Sequence, residues 1–117
     1  MKMGPSARYE YLLKRAADRE ELWSLWDGGW ALLGDKESGE YVPVWPHGDY
    51  AAAYAVREWN TYQPRAIPLE QWLTKWTAGM ETDNRRVAVF PTLDEPVAVV
   101  EPGKFRADLE AEMSQFE

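Results

Sequence analysis

The chain has no cysteine and a single histidine, His47. Without thiols it can build no disulfide framework, no thiolate nucleophile and no cysteine-based zinc site. One imidazole leaves only carboxylates as further metal ligands, and no acidic spacing matches a calcium loop. Neither a metal nor a cofactor is expected. Long apolar runs are missing too, since none approaches the ~18 residues of a membrane span. The opening Met1-Lys2-Met3-Gly4-Pro5-Ser6 lacks the apolar stretch of a secretory signal, so no membrane association and a cytoplasmic location are expected. Positive charge is scarce: 13 Lys and Arg face 20 Asp and Glu, a net charge of −7. That balance opposes phosphate neutralisation, and with it nucleic-acid binding, while steering the protein toward basic partners. Phosphate cradles are absent as well, because Gly28-Gly29 is too short and sits inside an expected hairpin.

What the chain does have is 45% apolar content over 117 residues, including seven tryptophans. This suits one compact domain spanning 1–117 around one core, with residues 1–5 and the last few as loose ends. Tryptophan fills such a core efficiently, each ring burying ~150–250 Å². Residues 6–18 predict a helix capped by Ser6, with Tyr9, Leu12, Leu13 and Ala16 on one stripe. Its basic residues Arg8, Lys14, Arg15 and Arg19 read as a solvated face. Leu22 to Leu33 predicts a hairpin turning at Gly28-Gly29, with Asp27 opposite Trp30 and Leu25 opposite Leu32. In that register Trp23, Leu25, Trp30 and Leu32 share one face, and Leu22, Trp26, Ala31 and Leu33 the other.

Tyr41 to Trp45 predicts a strand that Pro43 confines to an edge or a bulge. Helix is expected over 48–59, strand over 62–67, and helix again from Pro68, with Leu69, Trp72, Leu73 and Trp76 as a core stripe. Val87–Phe90 and Val97–Val100 read as strands buried on both faces and joined as an antiparallel hairpin. Pro102 opens a last helix carrying Phe105, Leu109, Met113 and Phe116. The fold class is therefore α+β, in the order α-β-β-β-α-β-α-β-β-α. A single compact domain would combine about six strands, in a mostly antiparallel or mixed sheet, with about four helices.

The segment Val42-Pro43-Val44-Trp45-Pro46-His47 is the most specified stretch. Trp45-Pro46 is a candidate cis bond, as cis is cheap only before proline. His47 could act as an acid or base with Asp49 or Glu58 as orienting carboxylate, but starting the next helix explains it more simply. Ser6, Ser24, Ser38 and Ser114 lie in no nucleophile elbow. Tyr50, Tyr54 and Arg57 fall on one helical side, opposite Ala52, Ala55, Val56 and Trp59, and are residue types enriched at interaction hot spots. Arg85-Arg86 reads as a solvated pair at a strand start.

Val42-Pro43-Val44-Trp45-Pro46-His47, with Tyr50-Ala51 after it, resembles a family of small bacterial proteins known as domain of unknown function 2750. The likeness takes in most of residues 8–110: Arg8-Tyr9-Glu10-Tyr11-Leu12-Leu13-Lys14-Arg15, Gly29-Trp30, Ile67-Pro68-Leu69 and Val87-Ala88-Val89-Phe90-Pro91. It implies no activity and no catalytic residues. By analogy, small acidic bacterial proteins sometimes serve as immunity proteins or toxin inhibitors. The expected function is a small acidic cytoplasmic protein-interaction module, a monomer or weak homodimer, with a protein partner of basic character and an immunity or inhibitor role as one form. Its expected contact residues are Tyr50, Tyr54, Arg57, Trp45 and His47, and binding is expected rather than catalysis. The alternative is a small-molecule-binding domain or minor enzyme with a pocket around Trp45 and His47, in which His47 and Asp49 are the catalytic candidates.

Overall fold

The computed structural model describes residues 4–116. In chain order the elements are α1 (Pro5–Arg19), β1 (Glu21–Trp26), β2 (Leu33–Asp35), β3 (Gly39–Val44), α2 (Gly48–Tyr54), β4 (Gln63–Pro68), α3 (Leu69–Gln71), α4 (Thr77–Thr82), β5 (Arg86–Val89), β6 (Ala98–Val100) and α5 (Pro102–Met113). A π-helical segment, Trp72–Trp76, joins α3 to α4 in one continuous helix. The α+β order expected from the sequence holds. A radius of gyration of 13.3 Å matches the ~13 Å of one compact domain this size.

The strands form two sheets. β1 pairs antiparallel with β4, and a four-stranded sheet runs β2-β3-β5-β6 with β3 and β5 parallel. One residue pair stitches the sheets together. Trp23 and Trp45 exchange both backbone hydrogen bonds, N to O, at 3.0 and 2.8 Å. Helices α1 and α5 pack on each other and on β5, while α2 packs on β1 and β4. Leu12, Leu22, Leu25, Val44, Trp45, Val87, Trp72, Phe105 and Leu109 meet in the core, each 0–1% exposed. At ~25 cal/mol per Å², each buried aromatic of ~150–250 Å² contributes about 4–6 kcal/mol.

Several local expectations need correcting. α1 starts at Pro5, after Gly4 in the N-cap position, and Ser6 caps nothing. Proline at the first helical position costs no hydrogen bond, so the helix gains a residue. Residues 1–3 and Glu117, and the Phe116 side chain, lie outside the described residues. The hairpin after β1 is only a stub. Trp26 bridges Trp30, with Asp27 donating to Gly29 and Gly28 at φ +66. This three-residue loop shifts the expected register by one, and β2 leaves to pair with β3.

Pro43 sits in an interior strand, not at an edge. Backbone polar groups alternate sides along a strand. Val44 accepts from Phe90 N on the β5 side, whereas the Pro43 carbonyl turns toward β1 and accepts the buried Ser24 hydroxyl at 2.7 Å. The ladder to β2 has already stopped at Tyr41, so the missing N–H of Pro43 breaks no bond. The Trp45-Pro46 bond is trans, like every bond among the described residues. α2 ends at Tyr54, where Ala55 (φ −82, ψ 65) and extended Val56 leave helical backbone. Arg57, at φ +56, then opens a short 3-10 turn over Arg57–Trp59. β5 and β6 form the expected antiparallel pair, Val87 opposite Val100. As the outer strand β6 is not buried on both faces, and Val97 and Val99 are exposed.

Candidate functional site

The segment that leaves β3 builds the first site. Trp45 is fully buried, and its indole N–H donates to the Pro91 carbonyl at 2.9 Å. His47 follows in extended backbone as the N-cap of α2, its Nδ1 accepting the Asp49 N–H at 3.1 Å. This bond requires an unprotonated Nδ1. The Asp49 carboxylate is 3.6 Å from the same nitrogen and nearly fully exposed, beyond a hydrogen bond. The His47 ring lies 6.2 Å from Trp23. Gly48 itself packs against Trp23, where a Cβ would sit 3.1 Å from the ring.

One turn later the chain turns inward. Tyr50 lies 4.8 Å from Phe90 and 6.2 Å from Tyr11, and Tyr54 lies 5.4 Å from Trp45. Both tyrosines therefore sit on the side of α2 that packs, with Ala51 buried and Ala52 and Ala53 exposed. That reverses the expected faces, and the early end of α2 takes Arg57 off the tyrosine side. Tyr50, Tyr54, Phe90, Pro91, Leu93 and Asp94 line a groove of about 290 Å³. Burial raises the Tyr54 hydroxyl above its ordinary pKa, helped by nearby Glu58. Burial raises Tyr50 as well, followed by the hydrogen bond to Tyr11. Both hydroxyls thus stay protonated donors at neutral pH.

The far wall of the groove is strained and clasped. Phe90 holds φ +50, a left-handed conformation that a bulky residue keeps only when its surroundings impose it. Arg8 does so from α1. Only 2% exposed, it donates from Nε to the Phe90 carbonyl at 3.2 Å, from Nη1 to Glu95 at 3.1 Å, and from Nη2 to the Pro96 carbonyl. The 91–96 loop is thereby pinned to α1, with Leu93 56% exposed at its tip. Arg8 is thus a buried clasp and not part of a solvated face.

A second and larger cleft, about 420 Å³, shares no lining residue with the first. Trp30, Leu32, Val42, Trp76 and Met80 give it an apolar lining, with Lys75, Asp83 and Arg85 at its rim. Trp30 and Trp76 meet edge to face at 5.0 Å. Trp76 stacks on buried Trp72 at 5.3 Å, and Trp30 leans on Trp26, over which Arg65 lies at 4.4 Å. Trp76 is thus only half-buried, a wall rather than core. Arg85 is not simply solvated: its Nε donates to Glu40 and its Nη1 to Asp83, both at 3.2 Å. Arg86 lies over the Tyr41 ring at 5.5 Å. None of the four cavities described is lined by Trp45 or His47. Among the described residues no group of three or more His, Asp or Glu is placed to hold a metal ion, and no helix is long and apolar enough to cross a membrane.

The model of a family described as a protein of unknown function (DUF2750) matches residues 9–109. The chain belongs to this family. Searches of curated proteins and of solved structures found no match. In this DUF2750 protein the Pro-Val-Trp-Pro segment that marks the resemblance is the seam between the two sheets. Of the residues singled out from sequence, the structure brings Tyr50 and Tyr54 together at one groove with Trp45 beneath them. His47, Asp49 and Arg57 lie outside its lining. Phe90, Leu93 and Asp94 were missed, as was Arg8. For Arg8 a signal existed, since it lies four residues before Leu12 and so on the buried stripe.

Proposed function

We propose that this DUF2750 protein is a cytoplasmic binding module that docks a basic protein segment over the groove between α2 and the 91–96 loop. The observation that carries the reading is the exposed pair Tyr50 and Leu93 flanking an aromatic-lined groove. Acidic groups outnumber basic ones around it: Asp94 lines it, Asp49 and Glu58 act electrostatically on Tyr50 and Tyr54, and Arg15 is the one cation that acts on Tyr50. Exposed apolar side chains with a net acidic rim favour a complementary partner. Strain held at Phe90 supports the same reading, because such conformations cluster at ligand-contacting sites. An inhibitor or immunity role would be one form of this docking, with the acidic groove covering a basic surface of the target. The free protein would be a monomer or weak dimer.

The test is affinity capture from native lysate with three baits: wild type, Leu93→Asp and Val56→Asp. Val56 is exposed but lies outside the groove lining, so its variant controls for a general loss of apolar surface. The expected result is a species held by wild type and Val56→Asp, lost on Leu93→Asp and released by salt. If every captured species is indifferent to Leu93, the reading fails.

A further inference from the structure

We infer that the Trp30/Trp76 cleft is a binding site for a small planar aromatic carboxylate, separate from the groove at Tyr50. The two indoles meet at an interplanar angle of 78°, so they form a corner. A flat guest can stack on one ring while meeting the other edge to face, the two arrangements aromatic pairs prefer. Leu32, Val42 and Met80 complete an apolar floor, and about 420 Å³ of space is the size of a small-ligand site. The corner is rigid because each ring has a second tryptophan behind it, Trp72 at 5.3 Å and Trp26 at 5.0 Å.

Charge at the rim selects the substituent. Arg85 is spanned by Glu40 and Asp83 through Nε and Nη1, leaving Nη2 with no partner among the described residues. Lys75 is exposed beside Trp76 and makes no ion pair among the described residues. Asp83 lines the same rim, but it and Glu40 are engaged by Arg85. Lys75 is therefore the rim charge without a counter-ion among the described residues, and an anion carried by a flat ring pairs with Lys75 while the ring fills the aromatic corner. The helix that bears Lys75 and Trp76 is locally π-helical. Thr77 donates both its N–H and its hydroxyl to the Trp72 carbonyl, the latter at 2.9 Å. Single π turns inside helices are frequent where a helix builds a ligand site.

The test uses 2-naphthoate as probe and 2-naphthalenemethanol as its neutral counterpart, each titrated into the 15N-labelled protein while the indole N–H resonances are followed. Naphthoate is expected to shift the Trp30 and Trp76 indole signals saturably below 5 mM, with the alcohol at least threefold weaker. Lys75→Gln, a change on an exposed side chain, should remove that preference, as the loss of one exposed ion pair is worth about two- to fivefold. Leu93→Asp should bind naphthoate like wild type, so failure at one site is told apart from failure at the other. No shift of Trp30 or Trp76 by 5 mM, equal affinity for acid and alcohol, or a preference that survives in Lys75→Gln each overturns the inference.

Discussion

Replacing Arg8 with methionine keeps the length and apolar stem of the side chain and removes its guanidinium. The Phe90 carbonyl, buried with its residue at 3% exposure, loses its side-chain donor, at a cost of about 1–3 kcal/mol. Glu95 is 26% exposed at its side chain and can return to water, so losing that ion pair costs about 1 kcal/mol or less. Pro96 is an exposed residue, so its carbonyl can turn to water and adds little. The expected destabilisation is therefore about 1–4 kcal/mol, read as a lower urea midpoint at unchanged slope. For a chain of this length it corresponds to a fall in Tm of roughly 4–16 °C. Glu95→Gln should cost about 0.5–1 kcal/mol, and the double variant should be less harmful than the sum, because the two residues share one contact. Freed from Arg8, Phe90 should also relax out of its left-handed conformation and distort the groove. An Arg8→Met variant within about 0.5 kcal/mol of wild type would mean that the guanidinium is solvated after all, and the account of the 91–96 loop would be wrong.

Other perturbations have sharper signs. Thr77→Val deletes the hydroxyl bond to the Trp72 carbonyl and should cost about 0.5–1.5 kcal/mol in denaturant unfolding. Gly34→Ala should cost about 2 kcal/mol or more, because Gly34 has φ +79 and a Cβ would stand 2.2 Å from the Gly39 carbonyl. Near-native stability there would contradict the close approach of Gly34 to the Gly39 carbonyl in the β2–β3 turn. Asp108 is held below the usual carboxylate range by its bond from Lys104 and then by that from Tyr9, while burial and Asp108 push Tyr9 upward. The Asp108 contribution is present above the ordinary carboxylate pKa of ~3.9 and is lost as pH falls through the lower folded value. The Tyr9 contribution is complete below ~10 and is lost as pH rises from there toward the folded value. Tyr9→Phe should accordingly flatten both flanks of the stability–pH curve, and an unchanged alkaline flank would refute the assignment. Leu93→Ala, at an exposed tip, should change stability by less than about 0.5 kcal/mol.

Much of the fold was legible because the apolar spacing is strong. The stripe from Tyr9 to Ala16, the Leu69, Trp72 and Leu73 part of the next stripe and the β5–β6 pairing all appear where periodicity puts them, while Trp76 proves to be a half-buried wall. What misled were places where backbone geometry overrides pattern. α2 leaves helical backbone at Ala55, a turn early, and the tyrosines that looked outward pack on Trp45 and Phe90. Gly28 allowed a three-residue loop, so the register at Trp26 and Trp30 moved by one and brought the two indoles into contact. Pro43 looked like an edge residue because sequence does not show which side of a strand lacks a partner. The groove itself needs Phe90 and Leu93, more than thirty residues from Tyr50, and no local pattern joins them. Only Arg8 was recoverable, by weighing its position on the buried stripe above its charge.

The proposal that the Tyr50/Leu93 groove docks a basic partner is tested most directly by amide hydrogen exchange on the protein bound to its captured partner. Protection is expected to rise in α2 around Tyr50–Tyr54 and in residues 90–94, to fade as salt is added, and to be lost with Leu93→Asp. A complex that protects other surfaces while leaving α2 and the 90–94 segment unchanged would contradict it.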